Sequence, residues 1–104
     1  MNERFQPAVE ASAIPPDSSH AVNVAGISLL ICNSDGKLFA IQNRCPHQGR
    51  PLEGGRVRRG TIACPLHGMR FELGSGKPLG QLTTTPLRTF PTRIVDGVIE
   101  VAID

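Results

Sequence analysis

Short apolar runs separated by turn-forming residues set the rhythm of this 104-residue chain. Residues 21–24 and 27–32 are dominated by apolar side chains and read as two strands parted at Gly26. Asn33-Ser-Asp-Gly36 has the composition of a hairpin turn, with residues 38–42 as the returning strand. Further on, residues 56–59 and 61–64 form a short hairpin across Gly60, and residues 70–73 make a strand that ends at Gly74-Ser-Gly76. Residues 77–85 read as a connection flanked by prolines. Residues 87–95 and 98–103 make a final hairpin across Asp96-Gly97. In its second strand Ile99, Val101 and Ile103 alternate with Glu100, Ala102 and Asp104, the pattern of a half-buried strand. Residues 1 to about 19, with Pro7, Pro15 and Pro16, are expected to be an irregular arm or an edge strand. No segment sustains a helical period, so the pattern predicts an all-β fold, a small antiparallel β-sandwich.

Composition agrees with that picture. The chain has 11 Gly and 9 Pro, four Phe and no Trp or Tyr, and its length suits one domain, residues 1–104, with one modest core. It has no long apolar run. Its start, Met-Asn-Glu-Arg-Phe-Gln-Pro, shows neither a basic flank with an apolar stretch nor a twin-Arg signal, so a cytoplasmic protein without a membrane anchor is expected.

The chemistry concentrates in one stretch. Cys45-Pro-His47 is followed by sixteen residues and then by Cys64-Pro-Leu-His67, so each of two Gly- and Pro-rich loops offers one sulfur and one nitrogen. In an extended segment a Cys and a His two residues apart point the same way, and a tight Pro-containing turn can bring Cys64 and His67 together. Such a four-ligand set suits zinc or an iron-sulfur cluster, and donor counting does not separate them. Zinc fingers usually group Cys with Cys and His with His. One of each per loop suits a two-metal centre, with two Cys on one iron and two His on the other. His20 lacks a partner motif and reads as a solvent-facing or capping residue rather than a ligand. Cys32, inside an apolar strand, reads as a small buried hydrophobe.

Cys-Pro-His-x-Gly, a Leu-x-x-Gly before the second loop, Cys-Pro-x-His-Gly-x-x-Phe and a following Gly-x-Gly together resemble the Rieske 2Fe-2S family, over roughly residues 20–103. The resemblance implies a β-sandwich with a cluster-binding subdomain at about residues 43–72. It implies one 2Fe-2S cluster held by Cys45 and Cys64 on the buried iron and by His47 and His67 on the outer iron. Gly49 and Gly68 would let backbone approach the cluster, Pro46 and Pro65 would stiffen the loops, and Leu66, Met69 and Phe71 would exclude water. Neutral imidazoles in place of two thiolates raise the potential above that of all-Cys ferredoxins, into a range of about −150 to +300 mV. In respiratory-complex members a Ser and a Tyr donate hydroxyls to cluster sulfurs, and an extra Cys in each loop forms a disulfide. This chain has Met69 and Phe71, and Arg50 and Leu66, at those positions, which places its expected potential near the bottom of the range and below about +100 mV.

The Rieske-type oxygenase subunits add a much larger catalytic part, for which this chain has no room. The resemblance therefore implies a one-electron carrier rather than an enzyme: a Rieske-type ferredoxin that takes electrons from an NAD(P)H-dependent flavin reductase and passes them to a terminal oxygenase, as in aromatic-ring hydroxylating systems. Two alternatives stay open, the small Rieske subunit of an NADH-dependent nitrite reductase and a non-redox module with zinc in the four-ligand site. Charge bears on the partner. The chain totals +2, yet residues 44–70 carry six Arg against Glu53, a net +5. That is either a solvated face or a docking surface for a partner with an acidic rim. With no aromatic stacking residues and no binding motif in the patch, nucleic acid is not expected.

Overall fold

The computed structural model describes residues 4–46, 49–65, 68–80 and 84–103. Eleven strands are assigned among them: β1 Phe5–Glu10, β2 Ser18–Val24, β3 Ile27–Ser34, β4 Lys37–Gln42, β5 Arg56–Arg58, β6 Thr61–Ala63, β7 Arg70–Glu72, β8 Pro78–Leu79, β9 Thr89–Phe90, β10 Thr92–Val95 and β11 Val98–Ala102. They form three antiparallel sheets, in the orders β1-β11-β10, β2-β3-β4-β9 and β5-β6-β7-β8. The one helical element among the described residues is a 3₁₀ turn at Ala11–Ala13, and no helix there is long and apolar enough to cross a membrane.

Four of the hairpins turn on a residue followed by glycine: Ala25-Gly26, Asp35-Gly36, Arg59-Gly60 and Asp96-Gly97. Both central residues of each have positive φ, near +50° and then between +76° and +89°. That is the type I′ arrangement, whose twist matches the right-handed twist of the flanking strands. The N-terminal region is the expected edge strand: β1 pairs with β11, with an irregularity between Pro7 and Val9 where a ladder N–H is missing.

Two features differ from the sequence pattern. The continuous strand expected over residues 87–95 is broken at Pro91. Thr89–Phe90 pairs with β4 in one sheet, and Thr92–Val95 pairs with β11 in another. Proline has no N–H to continue the ladder, so the chain changes sheets there. The expected connection over residues 77–85 contains β8, which adds a fourth strand to the small sheet by pairing with β7.

The middle sheet explains why residues 27–32 are continuously apolar. Leu29 and Ile31 of β3 and Ala40 of β4 pack with Ile14, Phe90, Ile99 and Val101 on one side. Leu30, Cys32 and Ile41 pack with Cys45, Leu52, Val57, Ile62, Cys64 and Phe71 on the other. A strand buried on both faces loses the alternation that marks a half-buried one. The small sheet is pinned to this layer at its turn, where the Gly60 N–H donates to Ser34 Oγ at 2.7 Å and the Leu73 N–H donates to the Gly60 carbonyl at 2.9 Å.

Candidate metal centre

Two loops leave the ends of strands in these sheets and carry the cysteines singled out by sequence. The first connects β4 to β5. The second connects β6 to β7. Their backbones close in the same way. The Cys45 N–H donates to the Arg50 carbonyl at 2.7 Å, and the Gly49 N–H returns to the Cys45 carbonyl at 2.6 Å. In the second loop the Cys64 N–H donates to the Met69 carbonyl at 2.7 Å, and the Gly68 N–H returns to the Cys64 carbonyl at 2.9 Å. Each cysteine thus sits at the neck of its loop with both backbone polar groups satisfied.

The glycines that end the turns have φ of +73° at Gly49 and +67° at Gly68, the left-handed region where a side chain is strained. At Gly49 a Cβ would also crowd the Arg44 guanidinium. Their identity is therefore set by the turn itself, in addition to the close approach expected from sequence.

Cys45 and Cys64 are both buried, at 0% and 2% exposure, within one apolar cluster that includes Leu52, Met69 and Phe71. Placing two thiols together in a dry interior at the necks of matched loops fits soft-metal ligation, because thiolate ligands need a compensating cation once they leave water. Met69 and Phe71, expected to exclude water, are buried beside them. His47 and His67 lie outside the described residues, as does Leu66.

The other two singled-out residues fall as expected. Cys32 lies at 0% exposure in the same cluster, where burial pushes its thiol up to about 12, so it stays a protonated, inert hydrophobe at ordinary pH. His20 is exposed on β2, outside both loops.

The structure adds residues that the motif does not announce. Asn43, at the end of β4, accepts hydrogen bonds on Oδ1 from the Leu52 and Glu53 N–H groups, both at 3.0 Å, and so ties the two ends of the first loop together. Gln42 acts beside it, donating to the Arg44 carbonyl at 2.7 Å and accepting from the Arg88 N–H at 2.8 Å. An Asn ahead of an irregular segment is the signal that could have found this clamp, since its short amide readily bonds backbone.

A family model described as Rieske [2Fe-2S] domain matches residues 4–91. The anthranilate 1,2-dioxygenase ferredoxin subunit of Burkholderia cepacia is 36% identical over 84 residues, covering 80% of this chain and 78% of the relative. A ferredoxin solved in complex with the oxygenase of carbazole 1,9a-dioxygenase superposes with a TM-score of 0.87 at 27% identity, over 97% of this chain and 94% of that one. A structure described as a putative NADH-dependent nitrite reductase small subunit from Mycobacterium tuberculosis reaches a TM-score of 0.88 at 21% identity, over 100% of this chain and 98% of that one. At that identity the last likeness speaks for the fold alone.

Proposed function

The chain belongs to the Rieske [2Fe-2S] family and carries its cluster, and from that premise we propose that it is the ferredoxin component of a multicomponent oxygenase, a one-electron carrier with no catalytic step of its own. The observation that carries this reading is the pair of matched ligand loops, with Cys45 and Cys64 buried in one apolar core. In our reading Cys45, His47, Cys64 and His67 hold the two irons, in the cluster-binding subdomain at about residues 43–72 of a single domain. The bound cluster supplies a one-electron couple. The chain's part is to hold four ligands rigidly and keep water out with Leu52, Met69 and Phe71, so that little reorganises when the charge changes.

Electrons arrive from a flavin-dependent reductase and leave to a terminal oxygenase, with both partners meeting the surface near His47 and His67. The potential falls low in the Rieske range, below about +100 mV, because Met69 and Phe71 offer no hydroxyl to the cluster. The protein works in the cytoplasm. The nitrite reductase reading has a fold likeness at 21% identity behind it, whereas the ferredoxin reading has a sequence relative at 36%, and zinc is set aside by the family's own cofactor.

The test is reconstitution. Purified without oxygen, the protein is expected to be red-brown, to give a rhombic EPR signal once reduced, and to be required for NAD(P)H-driven turnover by a flavin reductase and a ring-hydroxylating oxygenase. His67→Ala should lose both signal and turnover, while His20→Ala keeps both. Nitrite-dependent NADH oxidation with a co-purifying large subunit would sink the oxygenase assignment.

A further inference from the structure

The alternation of β5, β6 and β7 separates two kinds of residue. Val57, Ile62 and Phe71 point inward to the core that holds Cys45 and Cys64. The outer face carries the other set. In one cross-strand row Arg56 faces Ala63, which faces Arg70; in the next, Arg58 faces Thr61, which faces Glu72. Arg59 adds a fourth guanidinium at the β5–β6 turn. All four arginines are exposed.

The middle strand contributes only small side chains, so a trough of about 350 Å³ runs over Thr61 and Ala63 between arginines on both flanks. At the usual strand spacing, Arg56 and Arg70 stand about 10 Å apart across it. Glu72 is the one acid in these rows, and its Oε1 is engaged by the Ser75 hydroxyl at 2.7 Å. Among the described residues the one ion pair is Arg93 with Glu100, on the β1-β11-β10 sheet. Four guanidiniums against the one Glu72 carboxylate leave this face strongly positive, and among the described residues none of the four is ion-paired. Such a field attracts anions from outside.

We propose that this outer face is a docking cradle for the carboxylate-rich rim of a protein partner, lateral to the ligand loops through which the electron passes. The chemistry favours carboxylates on a protein over one small anion. A phosphate cradle is built largely from free backbone N–H groups, but β6 is paired on both sides, and the Thr61 hydroxyl already donates to the Arg58 carbonyl at 2.7 Å. What remains is a set of planar forks spread along two rows, suited to several carboxylates in turn. Position supports the same partner. Ala63 immediately precedes Cys64, and Arg70 lies two residues beyond Gly68, so a partner seated in the trough is held against the second ligand loop. Brief electron-transfer encounters use small interfaces, in which complementary charge raises the association rate and fixes orientation. The kind of partner rests on the carrier reading above; the existence of the cradle does not.

The experiment uses the cluster-loaded protein and a deca-glutamate peptide, followed through the arginine side-chain NMR signals at low salt. Binding should shift the Arg56, Arg58 and Arg70 signals, and should weaken as salt is added. Arg56→Gln/Arg70→Gln should lose at least about tenfold in affinity, while Arg4→Gln/Arg93→Gln, an equal charge change on the opposite sheet, should lose less than twofold. Equal losses in the two variants would reduce the effect to net charge and overturn the proposal. So would the absence of binding, or a site that inorganic phosphate saturates more tightly than the peptide. The cluster's reversible one-electron couple, measured by voltammetry on the same samples, tests the carrier reading separately: its loss would retire that reading whatever the peptide does.

Discussion

Met69 and Phe71 line the second ligand loop with side chains that donate no hydrogen bond, and both are buried, at 5% and 0% exposure. A hydroxyl added there would stabilise the more negative, reduced state. A hydrogen bond to a charged acceptor contributes about 1.5 kcal/mol or more, and for one electron about 1.4 kcal/mol corresponds to about 59 mV. Phe71→Tyr is therefore expected to raise the midpoint by on the order of 60 mV in voltammetry, whereas Phe71→Leu adds no donor and stays near wild type. Equal midpoints in the two variants would mean that position 71 does not reach the cluster. Much of this shell is legible in the sequence, because a Cys-Pro pair and a Gly fix each turn locally. The Asn43 clamp is only half announced: an Asn ahead of an irregular segment signals a backbone cap, but its partners lie nine and ten residues away and are met only after the loop has folded back.

Among the elements, the turns that need only local chemistry are the ones the sequence announces. Asp35-Gly36 and Asp96-Gly97 mark type I′ hairpins because both central positions require positive φ. The sheet change at Pro91 and the pairing of β8 with β7 depend on which distant strand offers an open edge, and no local pattern records that. Gly55 and Gly60 divide along the same line. A Cβ on Gly60 meets nothing within 4 Å, so Gly60→Ala should cost only the strain of its φ, about 1 kcal/mol, with the cluster retained. At Gly55 a Cβ would drive into the carbonyl oxygens of Ala63 and Leu52, where the tail of the first loop lies against the strand that leads into Cys64. Gly55→Ala should force the two ligand loops apart, bleaching the visible absorption and costing several times more in denaturant unfolding. Similar losses for the two variants would show that the loops are not coupled through this contact.

At the scale of the whole molecule, the middle sheet divides the interior into two cores of different dependence. The core shared with the β1-β11-β10 sheet is built from Ile14, Leu29, Ile31, Phe90, Ile99 and Val101, with none of the described ligand-loop residues. The other contains Cys45 and Cys64 themselves, and the strands β5, β6 and β7 that close it are three residues each, too short to persist without something to pack on. A metal centre that binds only the folded state adds its binding free energy to whatever it organises. Removing the cluster with acid and chelator, then returning the protein to neutral pH, should therefore unfold it unevenly. Hydrogen exchange read by mass spectrometry is expected to speed up at Val57, Ile62 and Phe71 by at least about a hundredfold, while Leu29, Ile31 and Ile99 change by less than about tenfold. A uniform loss across both cores would mean that the sandwich cannot stand without its metal. A uniform retention would mean that the small sheet is held without the cluster, by its apolar packing on Leu30, Cys32 and Ile41 and by the Gly60 to Ser34 bond. The uneven outcome follows from burial on both faces of β3, since that strand remains covered by Ile99 and Val101 on one side even when the other side opens.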